Sequence, residues 1–362
     1  MASKRTLIIP TLIIAAMSLA GCAPKDKYIS FSGFAQGGTY TVKLNLNGSY
    51  GRIKERPEDI QTAVDSILRD IDNSLSGYNK NSIISRFNKG EEVTPDKIFS
   101  DIYTKAVEFH DETSGRIDVA SGALFDIWGF GFRNGEMPDD ATVEKTRRAS
   151  GMGRLKRSIS EAMREDGTVN GRRLLLSDEM ACEGIPTLNY NAIAQGYSSD
   201  LVAEYLYSIG VKDMMVDIGE IFCDGVNPSG KPWTIGIDKP VDGNQELGAQ
   251  IQGIFRSPAG PHGIVTSGNY RKFIIKDGRK YAHTIDPLTG YPVEHTLLSA
   301  TIVAPDATMA DAYATYCMVI GLEAAKVFLE SRPDLEGCLI YDEDGSFRTW
   351  CSEGFVLEIP EQ

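Results

Sequence analysis

The chain has 362 residues, of which 42% are hydrophobic and 24% charged, and its formal net charge at pH 7 is -13. This length is enough for one large domain, or two closely joined ones, with a sizeable core, and it excludes a small scaffold held together by disulfides. The acidic charge argues against nucleic acid as a partner and against a polybasic membrane-binding surface. An anionic ligand would therefore need a metal ion, a helix N-terminus or a few placed cations.

The N-terminus has the features of a lipoprotein signal peptide. Lys4 and Arg5 precede a largely apolar run over 7–16, and the motif Leu19-Ala20-Gly21-Cys22 forms a lipobox. In bacterial lipoproteins such a cysteine is acylated and becomes the first residue of the mature protein, so the apolar run is removed. That run is also too short for a comfortable transmembrane helix.

These signals divide the chain into a signal peptide (1–21), a lipidated tether (22–30) and a body (31–362). No segment of the body approaches 18 consecutive apolar residues, so we expect it to be tethered to the membrane through Cys22 alone. The expected location is the cell envelope, at the inner or outer membrane, with the body outside the cytoplasm. The alternative is an ordinary secretory signal in which Cys22 occurs by chance.

Six cysteines are present, and five remain if Cys22 is lipidated: Cys182, Cys223, Cys317, Cys338 and Cys351. Five cannot all pair, and none shows the C-x-x-C spacing of a zinc or redox motif. Cys317 and Cys338 lie in apolar runs, where buried thiols are expected. A structural disulfide is compatible with the envelope, but the sequence does not select one.

Two helices are predicted in the first third of the body. Apolar residues recur at helical spacing from Ile60 to Leu75, with Pro57 at the start and Gly77 at the end. A second helix fits the apolar positions from Ile98 to Phe109, with Gly115 as its stop. The polar residues 78–82 between them indicate a loop that opens a short helix.

The middle of the chain changes character twice. Residues 133–167 are charged and lack strong periodicity, which predicts a surface insertion with short helices. Helical periodicity returns from Ile193 to Ile209, with Gly210 as the cap, and the apolar run Met214-Met215-Val216 predicts a buried strand.

Strand signals dominate from Trp233 to Val303, with turns at Pro240, at 277–278 and at 287–290. A last helix is predicted to begin near Ala310, and a C-terminal hairpin is predicted to turn at 343–345. Helices and antiparallel-looking strands come in blocks, which favours an α+β fold over a regularly alternating βαβ chain.

Asp311 and Thr315 lie four residues apart at the predicted start of the last helix, so their oxygens point toward one spot. Hard oxygens suit Mg²⁺ or Ca²⁺, and magnesium typically takes one or two protein oxygens while phosphates and waters complete its coordination. The alternative is that Asp311 has no ligand and is only an acidic residue of the first helical turn, where the helix dipole favours a negative charge.

Two further segments could carry chemistry. His283 and Asp286 precede a tight turn formed by Pro287 and Gly290, which places a candidate acid or base at a strand end, although a single histidine is more often structural. Residues 266–271 combine hydroxyls, a glycine and a cation, as a phosphate-lining loop would. They could equally form a hairpin connection.

The order of these segments resembles one known family, the FAD:protein FMN transferases, or ApbE family, of bacterial envelope lipoproteins. The resemblance runs from about Gly37 to the C-terminus. Any one segment would be weak evidence, whereas eight in family order make a specific match. The matching segments are Gly37-Gly38-Thr39-Tyr40; Leu75 to Tyr78 with Asn81-Ser82 and Arg86-Phe87-Asn88; Arg116-Ile117-Asp118 with Trp128 to Gly131; Asn189 to Gly196 with Tyr197 and Asp200; Asp217 to Glu220; Thr266 to Arg271; His283 to Gly290; and Ala310-Asp311-Ala312 with Thr315.

The resemblance implies a fold related to the T-fold, with antiparallel sheets, packed helices and a central cleft for FAD. It implies a metal site made of the Ala192 carbonyl and the side chains of Asp311 and Thr315. The residues it places against FAD are Gly37, Tyr78, Arg116, Ile117, Asp118, Asn189, Gln195 and Ile285.

The implied reaction transfers FMN from FAD to a threonine hydroxyl through a phosphoester bond and releases AMP. The implied acceptor is a flavoprotein subunit of a sodium- or proton-linked electron-transfer complex in the membrane. A bridging cation, Mg²⁺ or Ca²⁺, would withdraw charge from the pyrophosphate. His283 is the first choice for the base that activates the hydroxyl, with Asp286 orienting it or sharing the task.

The chain departs from the family pattern at four of these positions, one of which is Gln195, where lysine or glutamate is frequent. Gly37 replaces a common methionine, which removes an apolar flavin contact. Asn189 replaces the usual aspartate and so removes a charge near the cofactor. Asn191-Ala192 replaces a glycine or serine pair, but a carbonyl ligand survives any side-chain change.

Two other functions remain open at this point. An FAD pyrophosphatase would use the same metal with water in place of threonine, and a flavin-binding lipoprotein would hold FAD without turning it over. Asp311, Thr315 and His283 favour an enzyme, because a carrier could bind the isoalloxazine ring by stacking and would need no such cluster.

Overall fold

The structure is a computed structural model, and it describes residues 27–48, 51–91, 93–131, 137–155, 186–241, 244, 248–270, 273–276 and 278–359. The predicted signal peptide, the predicted lipidation site Cys22, and Cys182 lie outside the described residues. So do Arg271 and, within the predicted insertion, residues 133–136 and 156–167.

The strands of the described chain are β1 (Tyr28–Ala35), β2 (Gly38–Asn45), β3 (Asn47–Gly48), β4 (Gly51–Arg52), β5 (Met214–Asp217), β6 (Ile221–Asp224), β7 (Thr234–Asp238), β8 (Ile251–Arg256), β9 (His262–Gly268), β10 (Phe273–Lys276), β11 (Arg279–Ala282), β12 (Leu297–Ala304), β13 (Glu336–Glu343), β14 (Ser346–Cys351) and β15 (Leu357–Glu358). An eight-stranded sheet runs in the order β1-β2-β5-β6-β9-β12-β13-β14, and its neighbouring strands are antiparallel. A three-stranded sheet has the order β15-β8-β7, while β10–β11 and β3–β4 form separate hairpins.

The helices are α1 (Pro57–Leu75), α2 (Ile83–Phe87), α3 (Lys97–Glu112), α4 (Gly122–Ile127), α5 (Asp140–Ala149), α6 (Ala194–Ser208), α7 (Ala307–Ile320) and α8 (Leu322–Glu330). Helix α1 begins with Pro57 at its first turn and buries the apolar face predicted from the sequence. Helix α7 packs against β9 and β12 of the sheet and against α6, which itself contacts β5 and β6.

Burial explains the strand patterns. In β2 the buried residues Tyr40, Val42 and Leu44 alternate with less buried ones, because one face of this strand meets the helices. β12 is buried almost along its whole length, as expected for a central strand covered on both faces. The main core joins the sheet to the helices, and a second core, which includes Trp233, Phe255 and Cys338, joins the eight-stranded and three-stranded sheets.

The predicted α+β class is confirmed, as are the helices from Pro57, over 98–109 and over 193–209, and the hairpin at 343–345. Helix α5 confirms a short helix within the predicted insertion. The prediction for α7 was wrong in two respects. It begins at Ala307 because Asp306 caps it by accepting the Met309 N–H at 2.7 Å, and α8 follows it, so it is not the last helix.

Candidate active site

Helices α6 and α7 approach each other closely at Gly196, in the first turn of α6. A Cβ atom placed on Gly196 would lie 2.2 Å from the Ala307 carbonyl oxygen and 2.9 Å from the Asp311 Cβ. Gly263 in β9 meets the same turn of α7, since its Cβ would lie 2.3 Å from the Ala307 Cα. The two glycines therefore let the start of α7 sit directly against α6 and β9.

Asp311 gives an acceptor to a backbone donor in the first turn of α6. Its Oδ2 accepts the Gly196 N–H at 3.1 Å. This N–H is one of the N-terminal donors that have no partner inside the helix, because the carbonyl four residues earlier belongs to Ala192, which precedes the N-cap Ile193. Among the described residues the Ala192 carbonyl accepts no backbone hydrogen bond, so its oxygen remains available as a ligand.

The Asp311 carboxyl is almost fully buried, with 4% of the residue exposed. Burial raises its pKa to about 7, and the nearby charge of Asp200 adds to the rise, while the hydrogen bond from Gly196 opposes it. Within the described part of the chain its Oδ1 accepts no hydrogen bond and no cationic side chain pairs with it. A buried carboxylate of this kind lacks a countercharge, which a divalent cation would provide.

Asp200 fixes the start of α7 from the neighbouring helix. Its Oδ1 accepts the Ala307 N–H at 2.8 Å, and its Oδ2 accepts the Thr308 N–H at 2.8 Å and the Thr308 hydroxyl. Burial, then the charge of Asp306, raise the pKa of Asp200 to about 6. Together with the Asp306 cap, these bonds fix the position of the first turn of α7 and therefore the position of Asp311 in that helix.

Thr315 follows Asp311 by one helical turn and faces the end of β9. Its Oγ1 lies 3.3 Å from the Ser267 Oγ. The structure thus places Ser267, from the segment 266–271, beside Thr315 of the predicted metal-binding pair. Thr266 and Ser267 belong to strand β9 rather than to a loop.

The oxygens of Ala192, Asp311 and Thr315 fit a hard cation. They would supply one carboxylate and two neutral oxygens, which leaves positions for phosphate oxygens and water, as magnesium prefers. The described residues contain no group of three or more His, Cys, Asp and Glu side chains suited to a metal. A cation here would therefore depend on Asp311 for its charge and on the substrate for much of its coordination.

A second part of the site joins two segments that are 170 residues apart. Arg116 donates from Nη1 to the Asp286 Oδ2 at 2.8 Å, and Asp286 Oδ1 accepts the Leu288 N–H at 2.9 Å. Asp286 thus accepts hydrogen bonds from the Arg116 side chain and from a backbone N–H of its own turn. These bonds fix the carboxylate between Arg116 and the backbone of the turn, and its expected role in orienting His283 or sharing its task stays a prediction.

His283 begins the segment between β11 and this turn. Its ring is half-buried and lies edge-on to Phe130, with 6.4 Å between the ring centroids. The following residue, Thr284, donates its hydroxyl to the Asn269 Oδ1 at 2.7 Å, which ties the segment to the residues just after β9. His283 and Ser267 are therefore held in neighbouring segments.

Of the predicted flavin residues, Gly37 lies near α6 and Gln195 belongs to the first turn of that helix. Gly37 follows Gln36 in the β1–β2 turn, and both have positive φ. The Gln36 side-chain amide donates to the Ser198 hydroxyl in α6, which brings the turn to this helix. Gln195 donates to the Ile218 carbonyl at 3.3 Å, which brings in the β5–β6 turn.

Asn189 and Asp118 occupy adjacent segments. The Asn189 N–H donates to the Val119 carbonyl at 2.7 Å, and its Oδ1 accepts the Asn191 N–H, which shapes the turn that carries Ala192. Asp118 accepts backbone N–H groups from Ala120 at 2.8 Å and from Met152 at 3.0 Å. It also lines an open cavity of about 170 Å³, together with Pro287 and Leu288.

The remaining expected flavin residues differ in how much surface they offer. Tyr78 is 77% exposed, so its ring presents a broad face that could cover a flat ligand. Ile117 and Ile285 are each only 2% exposed and pack into apolar clusters. In this conformation neither isoleucine offers appreciable surface to a cofactor.

Sequence reasoning did not assign roles to Gly196, Asp200 and Ser267. Gly196 had a readable signal, because a glycine inside a helical pattern often marks a close approach of another element. Asp200 and Ser267 had none beyond their place in matching segments, since their partners lie 107 and 48 residues away.

The sequence profile of the ApbE family matches residues 37–339. A curated relative, the FAD:protein FMN transferase of Haemophilus influenzae, is 32% identical over 347 residues, covering 94% of both chains. The FAD:protein FMN transferase of Vibrio cholerae is 31% identical, covering 93% of this chain and 94% of the relative.

Solved structures show the same relationship. The flavin transferase ApbE from Vibrio cholerae superposes with a TM-score of 0.73 at 30% identity, over 91% of this chain and 98% of that one. The apo form of the Pseudomonas stutzeri flavinyl transferase ApbE gives a TM-score of 0.74 at 28% identity, over 91% and 95% of the two chains.

Proposed function

This chain belongs to the ApbE family, and we propose that it is an FAD:protein FMN transferase. It takes the FMN half of FAD, attaches it through a phosphoester bond to a threonine hydroxyl of an acceptor flavoprotein, and releases AMP. The curated relatives carry this activity in their names and match almost the full chain, which supports the proposal.

The observation that carries the proposal is the link between Gly196 and Asp311. By accepting the Gly196 N–H, Asp311 satisfies a first-turn donor of α6 and places a buried carboxylate on the same helix face as Thr315, while the Ala192 carbonyl just before that turn accepts no backbone hydrogen bond among the described residues. A protein that only bound the flavin ring would gain nothing from a buried carboxylate without a countercharge, because such a group costs free energy.

We assign the metal site to Ala192, Asp311 and Thr315, with Mg²⁺ as the expected ion and Ca²⁺ as the other hard cation that these ligands suit. A divalent cation bound there would reduce the negative charge on the pyrophosphate and stabilise the departing phosphate of AMP. Asp311 supplies the only negative side chain of this set, so it provides most of the protein's own attraction for the ion.

The acceptor threonine attacks the phosphorus atom of the FMN half. A new bond forms between the threonine oxygen and that phosphorus, while the anhydride P–O bond breaks and its electron pair leaves with AMP. We assign to His283 the removal of the hydroxyl proton as this bond forms. We assign to Asp286 the orientation of His283 or a share in its task, and this carboxylate also accepts a hydrogen bond from the Arg116 guanidinium, a group that suits phosphate recognition.

We also propose that the protein works in the cell envelope, tethered through a lipid on Cys22 with its body outside the cytoplasm. The lipobox supports this location. In the described residues no helix is both long and apolar enough to cross a membrane. The expected acceptor is a flavoprotein subunit of a membrane electron-transfer complex, which a tethered enzyme could reach along the membrane surface.

Mass spectrometry of a candidate acceptor tests the proposal. The acceptor is incubated with this protein, FAD and Mg²⁺, and its threonine-containing peptides are analysed for covalently bound FMN, while AMP is measured in solution. Bound FMN with matching AMP is the expected result. Free FMN and AMP without modified acceptor would indicate a pyrophosphatase, and intact FAD would indicate a carrier. Either result would contradict the transferase proposal.

A further inference from the structure

Cys338 and Cys351 face each other across the hairpin formed by β13 and β14. They are directly paired in the register of this antiparallel ladder, at the end opposite the hairpin turn. β14 is the edge strand of the eight-stranded sheet, so this pair lies where the sheet ends.

The hydrogen bonds beside the pair define its geometry. The Ser352 N–H donates to the Gly337 carbonyl at 2.9 Å, so Gly337 and Ser352 form a hydrogen-bonded pair. Bonded and non-bonded pairs alternate along an antiparallel ladder, which makes Cys338 and Cys351 a non-bonded pair. The Cα atoms of such pairs are about 4.5 Å apart with their side chains on the same face, within the range of about 4.4–6.8 Å that a disulfide spans.

The two thiols are in contact and differ in character. Cys338 is fully buried, whereas Cys351 is half-buried and can be reached from solvent. A hydrogen bond from the Cys338 thiol lowers the pKa of Cys351, which favours its thiolate, and the same bond and burial raise the pKa of Cys338 far above its ordinary value. Cys351 is thus the more reactive of the two.

The other described cysteines have no such arrangement. Cys223 is buried on β6, and burial raises the pKa of its thiol to about 12. Cys317 is buried inside α7, and burial raises its pKa as well. β6 is separated from β13 by two strands, so Cys223 does not compete for Cys338.

We infer that Cys338 and Cys351 are a site of covalent oxidation and form a disulfide that fastens the edge strand β14 to β13. The oxidant is a disulfide-bearing compound or protein. The Cys351 thiolate attacks one oxidant sulfur and releases the other as a thiol. The Cys338 sulfur, as its proton leaves, then attacks the Cys351 sulfur and releases the second thiol. Two cysteine thiols are oxidised by two electrons, and the oxidant's disulfide is reduced to two thiols.

The test uses the full-length protein, reduced and then equilibrated with oxidised glutathione at a fixed ratio to reduced glutathione. After acid quenching, denaturation and alkylation, peptides are analysed by mass spectrometry. The expected result is a peptide pair joined through Cys338 and Cys351, with Cys223 and Cys317 alkylated. Cys351→Ser should abolish the joined pair and leave Cys338 alkylated, whereas Cys223→Ser should leave it unchanged.

Three results would overturn the inference. These are full alkylation of both cysteines, a stable glutathione adduct on Cys351, and a bond from either cysteine to Cys182. Thermal unfolding gives a second readout, because reduction should lower the Tm of the wild type and leave that of Cys351→Ser unchanged. FMN transfer is not needed for either measurement, so a failure here is distinct from a failure of the proposed function.

Discussion

Gly196 donates its backbone N–H to the carboxylate of Asp311, 115 residues further along the chain, and so obtains the acceptor that a first-turn N–H lacks within its own helix. This hydrogen bond fixes the side chain that would hold a cation. The Ala192 carbonyl precedes the same helix turn and accepts no backbone hydrogen bond among the described residues.

Asp311→Ala should abolish Mg²⁺-dependent release of AMP from FAD, measured by chromatography, while FAD still binds more weakly through its ring contacts. The variant loses the anionic ligand and leaves the Gly196 N–H without its acceptor. The protein should still fold, since the change also removes a buried charge that has no countercharge. Asp311→Asn should give an intermediate rate, because the amide keeps an oxygen and loses the charge.

The matched control is Asp59→Ala, which removes an exposed acid from the first turn of α1 and should not alter activity. Wild-type cleavage by Asp311→Ala at saturating FAD and low Mg²⁺ would refute the assignment of the metal site. The thermal unfolding of each variant shows whether a loss of activity comes from unfolding.

Mg²⁺ affinity should depend on pH through Asp311, whose pKa burial raises to about 7 in the metal-free protein. The ion binds the deprotonated carboxylate, so affinity should fall about tenfold per pH unit below that pKa and level off above it. Calorimetric titration between about pH 5.5 and 8 measures this. A flat profile in the wild type would contradict it, and Asp200→Asn tests whether the neighbouring carboxyl contributes.

The stability of the metal-free protein should fall as the pH rises, whereas its Mg²⁺ affinity should rise. The folded-state pKa of Asp311 lies above its ordinary value of 3.8, so the folded state holds this proton more tightly than the unfolded chain does. The stabilisation is therefore present at low pH and is lost as the pH rises through about 7. Added Mg²⁺ should reduce this loss in the wild type, and Asp311→Asn should not show it.

Gly196→Ala should lower both stability and Mg²⁺ affinity. The new methyl group would overlap the backbone of Ala307, so α7 must shift away from α6, at a cost of about 1–3 kcal/mol in unfolding free energy. Denaturant unfolding and Mg²⁺ titration measure the two effects. Gly153→Ala is the control, because its Cβ would enter open space. Equal Mg²⁺ affinity in both variants would show that this helix contact does not define the site.

Tyr78→Ala and Asp118→Ala should both weaken FAD binding in a flavin fluorescence titration, but for different reasons. The Tyr78 ring is exposed, so its loss should remove a ligand contact and leave the thermal unfolding unchanged. Asp118 accepts the backbone N–H groups of Ala120 and Met152, and its loss should also cost about 1–3 kcal/mol per buried donor. Unchanged FAD affinity in both variants would remove them from the site.

Cys22→Ser should release the protein from membranes, because serine cannot receive the thioether-linked lipid. Fractionation of cells that express the wild type or the variant measures this. Cys182→Ser serves as the control, since it removes a cysteine outside the lipobox and should leave the protein in the membrane fraction. A membrane-bound Cys22→Ser variant would contradict the proposed anchor.

The sequence by itself determined the local elements, because hydrophobic periodicity reports which face of an element is buried. Ile60, Val64 and Leu68 recur at helical spacing, and all three are buried on one side of α1. The start of α7 was readable in principle from Asp306, whose side chain caps the helix, but apolar spacing alone placed the start three residues too late. The family was also readable from the sequence, because eight short segments match its motifs in the same order along the chain.

Only the tertiary structure decided which residues meet. It joined Gly196 to Asp311, held Arg116 against Asp286, and selected Cys338 and Cys351 from cysteines that the sequence could not pair. The physical reason is the distance along the chain over which each kind of interaction acts. Periodicity and capping act over a few residues, whereas these contacts depend on how helices and strands far apart in the chain pack against one another and on the register of a strand pair.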